Sequence, residues 1–571
     1  MKKVQNLLKQ LSRKLSSSNI PVRIISSAIF GSLVSFLLFY IFLPPFNLRS
    51  VGFWVYLTVC IATYAYPFLD ISRVTSITEN PKGKGKKKIK KTSYQFNKWV
   101  VIPVCVPLAV IVVGLVISSS VFNARSYAGI IDVKEYDFAD DMPESNEITN
   151  IALMDTDSAT VLGNRMLGSL SDMVSQYTVS DYYTQINYNR TPKKVSNLEY
   201  DGFFKWIGNM ERGIPGMVMV DPVKTSAEYV AFPSPMYYAD SAYFAKDLTR
   251  KLRFDYPTKI FDSISFEVDD EGNPYYIVSC SRPCVGLFGA SDVNEVIIFD
   301  PTDGSSQIMS VGDTPAWIDV VYTGDLAVEK FNWHGILSGG FINSIIGNVG
   351  CKQATDDYGY IVIDDDVWYF TGVTSLVSND KSNIGFLLSN ARTGEYKFYP
   401  VIGAEEHSAM AAAEGEVQEK GYVASFPSLV SIAGQPTYIM VLKDAAGVVK
   451  LYALVNAENY SIVATGATQA DAMSTYRKLL RQNDIEIGGS ALTAEITVEN
   501  VRIVQVADTA TVYLTATDGS VYKGYLESDE ALILVKAGDK LGVGYTESDV
   551  DRIYIISSWS FVTDQPVAPE Q

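Results

Sequence analysis

The chain opens with three long apolar runs and then changes to a pattern in which apolar and polar residues alternate over short stretches. The runs Ile24–Leu43, Val51–Leu69 and Trp99–Val121 hold 20, 19 and 23 residues, none of them Asp, Glu, Lys, Arg or His. At about 1.5 Å rise per residue, about 20 residues cross a hydrocarbon core of about 30 Å. Transmembrane helices are therefore expected at 24–43, 51–69 and 99–121, separating a basic N-terminus (1–23) from a Lys-rich loop (70–98) and a large remainder. The first run is long and lacks a small-x-small cleavage site, so it is read as a retained span. Gly31 and Ser35, four apart, offer a small face on which a second helix can pack.

Beyond residue 122 the pattern predicts many short strands and few helices. GMVMVDP, NEVIIFDPTDG, GYIVIDDDVWYF and LYALVNAENYSIVATG read as strands bounded by Gly, Pro and Asp turns. Helical periodicity appears at 155–177, 239–252, 405–421 and 468–482. The fold class expected is α+β: three N-terminal transmembrane helices, then antiparallel sheets with packed helices. An α+β segment is expected at 122–238 and a β-rich linking segment at 307–404. Regular alternation over 491–560, with turns at ATDGS and AGDK, predicts a small closed barrel of OB or SH3 type, followed by a tail at 561–571.

An internal repeat runs through this region. DDEGNPYYIV and SIAGQPTYIM place Gly272, Pro274, Tyr276 and Ile277 against Gly434, Pro436, Tyr438 and Ile439 at a constant offset of 162. Each copy follows a helix and precedes a strand ending in a turn, giving repeats at 239–306 and 405–490. This arrangement resembles the PepSY module of extracytoplasmic proteins of Gram-positive bacteria. The Asp300-Pro301-Thr302-Asp303-Gly304 turn matches the family's ending, whereas the second copy has Asn456 and Tyr460 there. The resemblance implies binding or inhibition of other extracytoplasmic proteins. Tyr276 and Tyr438 are then the first candidates for partner binding.

Charge assigns sides to the membrane. Residues 1–98 carry 16 Lys and Arg against 2 Asp and Glu, whereas the rest carries 31 against 62. The basic N-terminus and PKGKGKKKIKK (81–91) are expected in the cytoplasm, which puts everything after the third span outside the cell. The lysine run is read as a topogenic signal and tether, since nothing aromatic is interleaved to stack bases. Residues 491–571 hold 5 basic and 13 acidic residues, the wrong sign for binding phosphates, so nucleic acid is not expected as a partner.

Candidate chemistry is sparse. His334 and His407 are the only histidines, so a three-His zinc site within one chain is impossible, and no HExxH, Walker A, Gly-x-Ser-x-Gly or dinucleotide fingerprint occurs. His407 and Glu414 lie about 10.5 Å apart along a helix axis, too far to share a metal. The helix at 405–421 is read as amphipathic, with Met410, Ala413 and Val417 inward. Asp364-Asp365-Asp366 lacks calcium-loop spacing and reads as a turn between strands. Cys280 and Cys284, in CSRPC, are candidates for a disulfide, and a Cys351–His334 pair is too generic to nominate as catalytic. No cofactor or metal is expected. The sequence reads as a membrane-anchored envelope protein that binds a protein or cell-wall partner without catalysis. An accessory subunit of a transport or secretion complex, and a hydrolase with unidentified carboxylates, are the alternatives.

Overall fold

A computed structural model describes residues 20–68, 72–79, 88–95, 98–145, 153–376, 382–445, 447–483, 485, 492–506, 509–526, 529–547 and 553–562. These form two compact units, one of residues 1–134, 154–380 and 386–398, the other of 135–153, 381–385 and 399–571.

The first unit begins with three helices long and apolar enough to cross a membrane. They are α1 (Ile20–Phe42), α2 (Val51–Ala65, continued by a 3-10 turn at Tyr66–Phe68) and α3 (Lys98–Ser118). Gly31 lies beneath the Tyr64 ring, where a Cβ would collide with it. Ser27 Oγ donates to Tyr64 O at 2.6 Å and Tyr56 OH to Ser35 O at 3.1 Å. The small face anticipated at Gly31 and Ser35 thus seats α2 on α1. Residues between α2 and α3 include an antiparallel pair, β1 (Ser72–Glu79) and β2 (Lys88–Gln95), the second of which takes in the end of the lysine run. The rest of the lysine run, 81–87, lies outside the described residues. Helix α3 stops at Ser118 because Ser119 turns extended (ψ 150°) and caps α4 (Ser120–Ala128).

Three sheets follow in the first unit, each after a helix. Helix α5 (Thr156–Gly168) leads into β4 (Tyr177–Val179), β5 (Thr184–Tyr188), β6 (Thr191–Tyr200), β7 (Ile214–Asp221) and β8 (Ser226–Met236). They are ordered β4-β6-β7-β8 with β5 also on β6, and the short α6 (Phe203–Asn209) lies between β6 and β7. Helix α7 (Leu248–Asp255) precedes β9 (Ile260–Val268), β10 (Pro274–Pro283), β11 (Ser291–Phe299) and β12 (Ser306–Ser310), an antiparallel meander. Helix α8 (Gly324–Leu337) precedes β13 (Lys352–Ala354), β14 (Gly359–Ile363), β15 (Asp366–Ser375), β17 (Gly385–Asn390) and β18 (Tyr396–Tyr399), with β3 (Val133–Glu135) at the edge.

In the second unit α9 (Glu406–Glu416) precedes β20 (Val423–Ala424), β21 (Ser428–Ile432), β22 (Gln435–Lys443), β23 (Val449–Asn456) and β24 (Val463–Gly466). Two-residue strands β16 (Ser382–Asn383) and β19 (Gly403–Ala404) pair beside it. Helix α10 (Gln469–Gln482) closes this sheet's core through Ala472, Met473, Tyr476 and Leu480. A closed barrel then forms from β25 (Leu492–Val506), β26 (Thr509–Ala516), β27 (Val521–Tyr525), β29 (Ile553–Phe561) and β28 (Lys540–Glu547) in that order, as the alternation at 491–560 anticipates.

Turn chemistry explains the sheets. Asn189-Arg190, Asp364-Asp365 and Ala433-Gly434 each join two strands as a two-residue turn with both φ positive, the backbone that fits the twist of a hairpin. The Asp364-Asp365-Asp366 run is accordingly a strand-to-strand turn. After the second-to-last strand of each of these four sheets comes a second device. The side-chain oxygens of Asp221, Asp300, Asn390 and Asn456 accept N–H bonds from Val223, Thr302, Arg392 and Asn459 at 3.0, 2.8, 2.9 and 2.7 Å. A short polar side chain that mimics a backbone turn suits this position.

Candidate functional site

In the first unit a set of side-chain bonds forms a seam where the apolar helices meet the sheets. Helix α7 carries Arg253 at its end, 5% exposed. Its Nε donates to Leu43 O at 2.9 Å, just past α1, and its Nη1 donates to Lys259 O at 2.6 Å and Tyr256 O at 3.3 Å. The guanidinium lies 4.1 Å from the centre of the Phe261 ring. Burial lowers Arg253 to about 10, which still leaves it charged at neutral pH. The α1–α2 loop adds Asn47 Nδ2 donating to Thr258 O at 2.9 Å and Arg49 Nη1 donating to Pro283 O at 2.9 Å. At the end of α3, Ser118 Oγ accepts the N–H groups of Leu287 and Phe288 at 2.8 and 2.9 Å. Gly114, one turn earlier, leaves room for the Phe288 ring, which a Cβ would strike.

A second node ties the three sheets to one another. Glu267 on β9 is fully buried; its Oε2 accepts Asp319 N at 2.8 Å and its Oε1 accepts Val320 N at 3.1 Å and Ser265 Oγ at 3.2 Å. Asp319 Oδ2 accepts Asn187 N, from β5, at 2.7 Å, and Asn187 Nδ2 donates to Asp365 Oδ1 at 3.1 Å. Beside them Arg392 grips Asp366 through Nε and Nη2 at 2.6–2.8 Å. Burial first, and the Asp319 charge second, push Glu267 up to about 8 against the bonds that favour its ionised form. Burial likewise pushes Asp319 up to about 7. These carboxyls are sealed from solvent, so they can brace backbone and hold a proton but cannot reach a substrate.

Residues singled out in the sequence lie elsewhere. Tyr276 (4% exposed) packs between Phe266 and Phe299 on neighbouring strands, and Tyr438 (0%) donates to Ala404 O at 3.1 Å. Both are core residues, which corrects their reading as partner-binding side chains. Cys280 and Cys284 are free thiols, the first buried and the second exposed. They sit four residues apart at the end of an extended strand, where Cα atoms stand about 13 Å apart, about twice the span of a disulfide. The disulfide expectation is corrected on that ground. Cys351 is buried with Sγ 3.4 Å from Ile336 O, and His334 Nδ1 lies 2.8 Å from Ala128 O, so both serve packing around α8. On α9 Glu406, Ala409, Ala413 and, at its end, Val417 are buried while Met410 is half-buried, so the expected stripe is the inward face with Ala409 and Glu406 added to it. Glu414 Oε1 accepts Ala424 N at 2.9 Å, and the His407 ring lies 6.4 Å from that of Phe426. Among the described residues no group of three or more His, Cys, Asp and Glu is placed to share a metal ion.

No local pattern in the sequence marks Arg253, Ser118 or Glu267 as functional. In ISFEV the alternation puts Ile264, Phe266 and Val268 inward and Glu267 outward, which is correct for a sheet with one wet face. Here β10 feeds a core on both faces: Tyr276, Val278 and Cys280 to one side, Ile277 with Ile318, Val321 and Tyr322 to the other. The second covering layer comes from α8 and its approach, about 50 residues downstream and invisible to local periodicity.

No protein-family model matches the chain, and no curated protein matches it either.

Proposed function

We propose that this chain is a multi-pass membrane protein of the bacterial cell envelope whose sheet-rich region binds or regulates a protein or wall component outside the cell, without catalysing a reaction. The seam carries this reading: the loop after α1 and the end of α3 are bonded into the sheets through Arg253, Arg49 and Ser118. A region fixed in this way presents its surfaces at a set height above the bilayer, which suits recognition of another envelope component. The side is supported by the basic residues, 16 of which precede residue 99.

The four sheets support a modular origin in this reading. Each follows a helix, and each closes its second-to-last strand with the same Asp or Asn turn. They are read as four copies of one PepSY-like module, the Gly-x-Pro pair being the two whose sequences still match. The barrel order, with β27 parallel to β29, favours OB over SH3 type, and its acidic charge favours a protein contact. With Tyr276 and Tyr438 buried, the edge strands β8 and β12 become the recognition surfaces, by strand addition.

The seam also favours a second reading, an accessory subunit, because spans and sheets act as one body. Crosslinking in intact cells followed by mass spectrometry separates the two, comparing the full chain with residues 122–571 on an unrelated anchor. Capture of one envelope protein by both supports the binding module. Capture only with the native spans supports the accessory subunit, and no stoichiometric capture by either removes both.

A further inference from the structure

We propose that two apolar patches on the first unit lie in the acyl-chain layer of the membrane leaflet on the sheet side, so that this unit rests in the bilayer surface as well as hanging from three spans. The first patch is α6 with its neighbour Phe244. Phe204 is 85% exposed, and Ile207, Met210 and Phe244 are exposed beside it. The second is the segment after α8, where Ile342, Ile345, Ile346 and Val349 are 75%, 61%, 80% and 79% exposed. Exposed apolar clusters of this kind are uncommon on a surface meant for water.

Both patches are tied to the ends of spans. Phe203 stacks edge-on to Tyr243 at 5.0 Å, and Phe244 O accepts a bond from Arg250 Nη1 at 2.8 Å. That same guanidinium lies 4.3 Å from the centre of the Tyr40 ring, two residues before α1 ends. Phe254 meets Phe39 of α1 edge-on at 5.5 Å. On the other side, α4 begins two residues after Ser118, and its Tyr127 and Ala128 hold Trp333 and His334 of α8 at 5.4 and 2.8 Å. Leu337 and Phe341 pack on Ala124 and Ala128, in the middle and at the end of α4, which brings the 342–349 segment beside the short helix that directly follows α3.

The chemistry fits acyl chains better than charged headgroups. FINSIIGNV (341–349) carries no charge and α6 carries only Lys205. The segment also closes its own polar groups: Asn343 Nδ2 donates to Val349 O at 2.9 Å, Asn343 Oδ1 accepts Val349 N at 3.1 Å, and Asn348 N donates to Asn343 O at 2.6 Å. Backbone that enters hydrocarbon must find its partners internally, and side chains at such a boundary enter by about 5–10 Å.

The test places the photoreactive residue benzoylphenylalanine at Phe204, at Ile346 or at Lys224, in the full chain reconstituted in phosphatidylcholine vesicles. Lys224 is 79% exposed at the far end of the β6–β7 pair from α6 and serves as the water-facing control. After irradiation, mass analysis is expected to find lipid adducts about tenfold more abundant at 204 and 346 than at 224. Adducts no more frequent than at 224 would show both patches in water and overturn the proposal. Adducts to a second copy of the chain would overturn it equally, by showing a protein contact.

Discussion

The Glu267 carboxyl shows how much one side chain can hold. It satisfies the N–H groups of Asp319 and Val320 while itself fully buried. Replacing Glu267 by Leu strands both donors, and a loss of roughly 2–6 kcal/mol follows at about 1–3 kcal/mol for each; urea unfolding of the detergent-solubilised chain measures it. The pH dependence has a definite sign. The folded-state values of Glu267 and Asp319 lie above their unfolded values of 4.5 and 3.8, so the folded state binds more protons between. Their contribution is full below the unfolded values and is lost as pH rises through the folded ones, about 7 and 8. The melting temperature should therefore fall between pH 5 and pH 8, and Glu267→Gln should flatten that fall. Lys194, lowered to about 8 by burial, acts oppositely and only above that pH. Single residues were the hardest thing to read from the sequence: Tyr276 and Tyr438 sit at matched strand positions that look the same whether the sheet is covered on one face or two.

Turns and spans were the most legible elements, because each is set by local chemistry. Gly434, with φ 69°, occupies a left-handed position, and its N–H and that of Ala433 are accepted by Glu144 at 3.1 and 2.6 Å. Gly434→Val should cost about 1–3 kcal/mol from backbone strain, readable as a lowered melting temperature. In the first unit Asp300→Ala should cost about 1 kcal/mol and Asp300→Asn much less, since an amide oxygen can still receive Thr302 N. The barrel and the helices at 155–177, 405–421 and 468–482 were visible as periodicity. In two of the sheets the shared hairpin geometry was not visible. Their tight turns use Asn189-Arg190 and Asp364-Asp365 in place of Ala433-Gly434, and different side chains can serve one backbone shape, so the shared geometry leaves no shared letters.

At the scale of the whole molecule the seam decides whether the spans are an anchor or a part of the machine. Arg253 joins α1 to the β9–β10 sheet through three carbonyls, and Ser118 joins α3 to the loop after β10. Loss of a buried guanidinium leaves its acceptors unpaired at a cost of roughly 2–4 kcal/mol. Arg253→Leu should thus open the 43–50 loop to limited proteolysis while the sheets stay folded. Hydropathy and charge made the three crossings legible, but no periodicity announces that Leu43 and Arg253, 210 residues apart, share a bond. The most direct measurement is a distance distribution between spin labels at Ile29 on α1 and Lys224 on the β7–β8 turn. It uses the full chain in vesicles, with the exposed Cys105 and Cys284 replaced by serine. A single narrow distance, broadened when Arg253→Leu and Ser118→Ala are combined, is what a bonded seam predicts. A broad distribution in the unaltered chain would contradict it and reduce the spans to a tether.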